Sequence, residues 1–170
     1  MSLQKVFLTI KDQLKQQKSI RIKVQIRLYQ DILKKHMPKK IPVLDTNVII
    51  RFLTSDSPLQ AEKVEDLLKK SEVGSLVIPD LIVAEIVYVL LSFYDLPKEE
   101  VVVKLGALLD YAKFKTNKKL LKKTIEVFSE NNISFSDAYL CALNLIGKHP
   151  YIYTFDKKLE KIEKVIVRTP

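Results

Sequence analysis

The chain has 170 residues, 47% hydrophobic and 29% charged, with 3 Gly and 7 Pro. These proportions suit a domain that buries a core, and they exclude collagen-like, low-complexity and wholly disordered chains. The formal charge of +9 belongs to the first 40 residues, which carry eleven Lys and Arg against two Asp, while residues 41–170 hold eighteen of each sign. The basic total therefore describes the leading segment and is no argument for a basic groove on the rest.

No apolar run reaches the roughly 18 residues that span a bilayer, and the start is not expected to be a signal peptide. One cysteine, Cys141, excludes an intramolecular disulfide and fits a reducing, cytoplasmic compartment. With two separated histidines, His36 and His149, a Cys/His zinc site is not expected.

In chain order, Val6 to Leu14 reads as a short helix. Ile20 to Leu28 alternates apolar and polar residues, the period of a half-buried strand, although its Gln and Lys content also suits a helix. Lys34 to Lys40 is a polar hinge. Regular alternation follows: a short strand at Ile41 to Leu44, helical character from Val48 to Leu53, and a helix from Pro58 to Lys70 stopped by Gly74. A strand comes next at Leu76 to Ile78, then a long apolar helix from Pro79 to about Phe93 and another from Pro97 to about Ala112. Asn117 to Glu130 is a basic amphipathic helix, and Ser134 to about Ile146 an apolar one closed by Gly147. Tyr151 to Thr154, Lys157 to Glu163 and Val165 to Val167 read as strand, short helix and strand. Short apolar strands between helices predict an α/β fold with a parallel sheet covered on both faces.

Four carboxylates stand out. Glu85 is the sole charge between Leu81 and Leu91, so it is expected to be buried against a cation; the competing reading is a helix with one solvent-facing edge. Asp45 follows the first strand, where open α/β sheets gather ligands, although Asp-Thr-Asn is also a helix cap. Asp137 sits in Ser134-x-x-Asp137, a capping-box pattern that taken alone explains it. Asp156 follows the strand at Tyr151 to Thr154, again as a cap or as a ligand. A parallel sheet brings four such acids toward one edge, where they need cations; oxygen-only donors suit Mg²⁺ or Mn²⁺, which activate water in phosphodiester hydrolysis.

The motifs Val43-Leu44-Asp45-Thr46-Asn47-Val48-Ile49-Ile50-Arg51, Ile78-Pro79 with Ala84-Glu85-Ile86, Phe135-Ser136-Asp137-Ala138 and Thr154-Phe155-Asp156 occur in that order. Through them Ile41 to Pro170 resembles a PIN domain, most closely a VapC-type toxin ribonuclease. The resemblance implies an α/β/α sandwich around a central parallel sheet of about four or five short strands, and a Mg²⁺- or Mn²⁺-dependent endoribonuclease. It also implies a homodimer and a small antitoxin protein that blocks the acidic site. Carried over, it makes Asp45, Glu85, Asp137 and Asp156 catalytic and metal-binding, with Asp45 and Asp137 touching the ion directly. Thr46, Asn47, Ser136 and Thr154 would orient those ligands or the phosphate.

In the resembled family the first Asp lies near the chain's beginning, whereas here it is residue 45. Met37 as initiator would place Asp45 ninth, and residues 1–36 would then be a misassigned start; a basic arm that strengthens RNA binding is the alternative. Lys157 and Lys158, beside the proposed site, are candidate RNA-phosphate contacts. Lys118, Lys119, Lys122 and Lys123, with Lys113 and Lys115 before them, read as a solvated stripe or as phosphate contacts. Tyr88, Phe93 and Tyr94 read as core or dimer interface rather than as stacking platforms. A catalytically silent RNA- or protein-binding module is the rival reading. An aspartyl phosphatase is set aside because Asn47 stands where Asp-x-Asp needs an acid.

Overall fold

The structure is a computed structural model that describes residues 16, 21–30, 32 and 40–170. The chain divides into two units, Met1–Lys40 and Ile41–Pro170. In the first, residues 21–30 form helix α1, which corrects the strand reading of Ile20 to Leu28. The alternation leaves Ile22, Val24, Ile26 and Leu28 exposed on the helix. The helix read at Val6 to Leu14 and Met37 lie outside the described residues.

The second unit is built of helices around short parallel strands. It begins with Asp45, whose carboxylate accepts from the Thr46 amide at 2.8 Å and caps α2 (Thr46–Thr54). Pro58 opens α3 (Pro58–Lys70) at a position where its missing N–H costs nothing. Ser71 ends that helix; Gly74 lies beyond it in a turn at φ +65°. After β1 (Leu76–Val77), Pro79 and Pro97 precede α4 (Asp80–Ser92) and α5 (Lys98–Asp110), the second with Glu99 and Glu100 where the helix dipole favours acids.

β2 (Phe114–Lys115) pairs in parallel with β1 in the register Leu76 opposite Phe114. This strand has no counterpart in the sequence reading: a single Phe between Lys113 and Lys115 carries no periodicity. α6 (Lys118–Glu130) and α7 (Phe135–Leu145) follow, then β3 (Ile152–Tyr153), a 3₁₀ turn at Leu159–Lys161 and β4 (Val167–Arg168).

Residues 42–44 extend the first sheet. The Leu44 amide donates to Val77 O, and the Val77 amide to Pro42 O, each at 2.9 Å. The β3–β4 pair is also parallel. The expected α/β/α arrangement is thus the one observed, with its strands in two parallel pieces. α6 packs on α5 and α7, and α4 on α2, α5 and α7.

Ile49, Ile86, Leu90, Leu105 and Leu121 are among the fully buried side chains of one core, each stabilising by roughly 1.5–3 kcal/mol. Phe52 meets Tyr111 and Phe114 at centroid distances of 5.5 and 6.0 Å beneath the first sheet piece. Asn144, 8% exposed, joins the second piece to α7: its amide donates to His149 O at 2.8 Å, and its oxygen accepts from the Ile166 amide at 2.9 Å. Cys141 is buried, and burial pushes its thiol up to about 11, so it behaves as a small apolar group.

Candidate active site

The parallel strand at residues 42–44 ends at Asp45, and α4 begins just beyond β1. Because these strands are neighbours, their carboxyl ends deliver Asp45 and Glu85 to one place. The connecting residue is Thr46, which is buried and whose hydroxyl donates to Glu85 Oε2 at 2.6 Å. Asn47 Nδ2 reaches the second Asp45 oxygen at 3.4 Å. Asp45, Thr46, Asn47 and Glu85 together line a cleft of about 450 Å³, along with Tyr88, Phe93 and Tyr94.

Glu85 is exposed, which corrects the expectation of a buried carboxylate. The helix has a solvent-facing edge on which Leu81, Glu85 and Tyr88 follow one another at helical spacing. Leu81 and Tyr88 are themselves exposed, and their apolar character hid that edge. Glu85 needs no cation to pay for burial, and its partner is the Thr46 hydroxyl.

Asp137 and Asp156 are not among the residues lining this cleft. Asp137 sits in the helix cap: its amide donates to Ser134 Oγ at 3.1 Å and its carboxylate accepts from that hydroxyl at 2.7 Å. Asp156 holds the loop after β3, receiving the Lys158 amide at 2.8 Å, while its own amide donates to Thr154 Oγ1 at 3.0 Å. Lys157 and Lys158 are exposed beside it. Ser136, also exposed, faces a separate pocket with Asp80, Leu81 and Tyr139.

The acids are of the right chemical kind for a hard cation. Their arrangement supplies two in one cleft. Among the described residues, no group of three or more His, Cys, Asp or Glu side chains is placed to hold a metal ion.

Two polar networks were not anticipated. In the first, Arg51 pairs with Asp56 and donates to Gln60 at 2.7 Å and to the Tyr94 hydroxyl at 3.3 Å; that hydroxyl donates to Asp56 at 2.5 Å. The Tyr94 hydrogen bond first, and then the Arg51 and Thr54 contacts, hold the Asp56 carboxyl below its ordinary value. Arg51 belongs to the Asp45–Arg51 segment, but its partner Tyr94 is 43 residues away and no local spacing reveals it. In the second network, Asp80 accepts from Tyr139 at 2.8 Å and from Asn117 at 3.2 Å, tying α4 to α7 and to the start of α6.

The lysine stripe is partly engaged within the protein. Lys118 and Lys122 grip Asp110 at 2.8 and 2.9 Å, and Lys123 pairs with Glu126.

This α/β fold brings a carboxylate pair to where neighbouring parallel strands end, and sequence comparison places the chain in a family. The PIN domain family model matches residues 43–165. The chain belongs to the PIN domain family, whose members are generally nucleases. No curated protein matches it significantly. Among solved structures it is similar to VapBC2 from Rickettsia felis, bound to a DNA fragment from their promoter. That likeness has 18% identity and a TM-score of 0.32, over 76% of this chain and 98% of the other.

Proposed function

We propose that the protein is a Mg²⁺- or Mn²⁺-dependent endoribonuclease, the toxin of a toxin–antitoxin pair. Membership of a nuclease family supports the reaction class. The observation that carries the assignment to this cleft is the Asp45–Thr46–Glu85 junction, which sets two carboxylates in one opening. Asp45, Glu85, Asp137 and Asp156 are the proposed ligands and catalytic acids, with Thr46, Asn47, Ser136 and Thr154 orienting them and Lys157 and Lys158 contacting RNA phosphates. A bound ion supplies an activated water and stabilises the leaving oxygen. The four ordered motifs support the VapC-type reading, and with it an antitoxin protein, a homodimer and a cytoplasmic location. Among the described residues, no helix is long and apolar enough to cross a membrane.

The alternative is a catalytically silent RNA- or protein-binding module, favoured by the position of Asp137 in a helix cap and of Asp156 in the loop after β3, neither lining the cleft of Asp45 and Glu85. The test is RNA cleavage by the full chain with Mg²⁺ or Mn²⁺, alongside calorimetric titration with Mn²⁺. Cleavage lost in EDTA and in a folded Asp45→Asn variant supports the enzyme. RNA binding with no cleavage of a broad RNA panel supports the silent module. Growth arrest on expression, relieved by the product of an adjacent reading frame, supports the toxin assignment.

A further inference from the structure

We infer that Tyr88 and Phe93 form a shelf on which unpaired bases of a single-stranded RNA stack as its backbone enters the Asp45–Glu85 cleft. This rests on the reading of that cleft as an RNA site.

Both rings are unusually open, Tyr88 at 69% and Phe93 at 79% exposure, and both line the cleft that holds Asp45 and Glu85. They are not core, one of the two places the sequence suggested, the other being a dimer interface. Tyr88 lies three residues beyond Glu85, on the same face of α4 and about 4.5 Å further along the axis. Phe93 caps the C-terminal end of that helix. The shelf is fixed from behind. Tyr94 meets the Phe93 ring edge-on at 5.1 Å and 73°, and its hydroxyl is held by Asp56 and Arg51. A polar network therefore sets the position of an exposed aromatic ring.

Electrostatics explain why such a shelf is needed. The cleft lining carries Asp45, Asp56 and Glu85 against one cation, Arg51, which is committed to Asp56. The protein itself repels phosphates there, so binding needs a contact that does not depend on charge. Stacking on an aromatic face is indifferent to that charge, and every base has a face to offer. A duplex keeps its base faces stacked internally, so the shelf selects unpaired RNA.

The chain contains no tryptophan, so Tyr88→Trp and Phe93→Trp each introduce a single indole reporter. With oligoadenylate titrated in EDTA, both reporters are expected to quench, and a duplex RNA of equal length to leave them unchanged. Tyr88→Ala and Phe93→Ala are expected to weaken oligoadenylate binding roughly tenfold each, with Tyr88→Phe retaining it. Sedimentation is run on every variant. Unchanged affinity in the alanine variants, equal quenching by duplex, or no RNA binding by the parent chain overturns the shelf. So does a change of oligomeric state without a change of affinity, which makes the rim a contact between copies. Cleavage that survives with unaltered oligoadenylate affinity sinks the shelf alone. Quenching without cleavage under Mg²⁺ or Mn²⁺ sinks the enzyme reading and leaves the shelf standing.

Discussion

The Thr46 hydroxyl stands 2.6 Å from Glu85 Oε2, joining residues 39 positions apart. One end of this bond is in the core and the other in solvent, since Thr46 is 5% exposed and Glu85 lies open. The bond fixes a surface carboxylate to a buried element, and so fixes its distance from Asp45.

Thr46→Val keeps the side-chain shape and removes the donor. Glu85 can be rehydrated, so the expected stability loss is only about 1 kcal/mol, measurable by urea denaturation. Cleavage is expected to fall further, by roughly 10–100-fold, as it does when the groups that orient ligands are removed. Thr46→Ser, which restores the hydroxyl, is expected to recover most of the activity. Equal losses of activity in both variants count against a positioning role.

Asn144 offers a stability test remote from the cleft. Its side chain satisfies a carbonyl before β3 and an amide before β4 at once. Asn144→Ala leaves both backbone groups without that partner, for an expected cost of about 2–4 kcal/mol. RNA affinity measured well below the melting temperature is expected to be unchanged.

Much of this architecture was readable locally. Pro58, Pro79 and Pro97 mark helix starts within a residue, and Ser134 with Asp137 marks another. Local signals failed where long-range packing decided the outcome. Phe114 is buried in a strand paired with β1, yet a lone Phe between Lys113 and Lys115 carries no strand pattern. Glu85 sits on an exposed edge that Leu81 and Tyr88 disguise as apolar. At the site, the Asp45–Thr46 cap was legible in three residues, whereas the reach of Thr46 to Glu85, and of Tyr94 to Asp56, follows from which strands are adjacent.

Asp110 gives a prediction at acid pH. Hydrogen bonds from Lys118 and then Lys122 hold its carboxyl down to about 2, from an ordinary 3.8. A depressed carboxyl contributes stability that is present above its unfolded value and lost as pH falls through the folded one. Asp110→Asn is therefore expected to be less stable than the parent at neutral pH, with the gap closing between pH 4 and 2. The lysines are solvent-exposed, so the gap is also expected to shrink in high salt. A difference that persists at pH 2 or is insensitive to salt counts against the ion pair as its cause.

Tyr139 gives the matching prediction at alkaline pH. Burial first, and then its hydrogen bond to Asp80, push the phenol up to about 12. The neutral form is thus favoured in the folded protein, so its contribution is fully present below the ordinary tyrosine value of 10 and is lost as pH rises toward 12. Of the seven tyrosines, Tyr139 is expected to ionise late in an ultraviolet titration, and Tyr139→Phe to abolish that late phase. At neutral pH the variant is expected to lose about 1 kcal/mol, because Asp80 keeps Asn117 but loses its nearer donor. Its stability difference from the parent should then narrow from pH 10 upward. A late phase that survives the substitution assigns it to another tyrosine and removes the proposed tie between α4 and α7 as its cause.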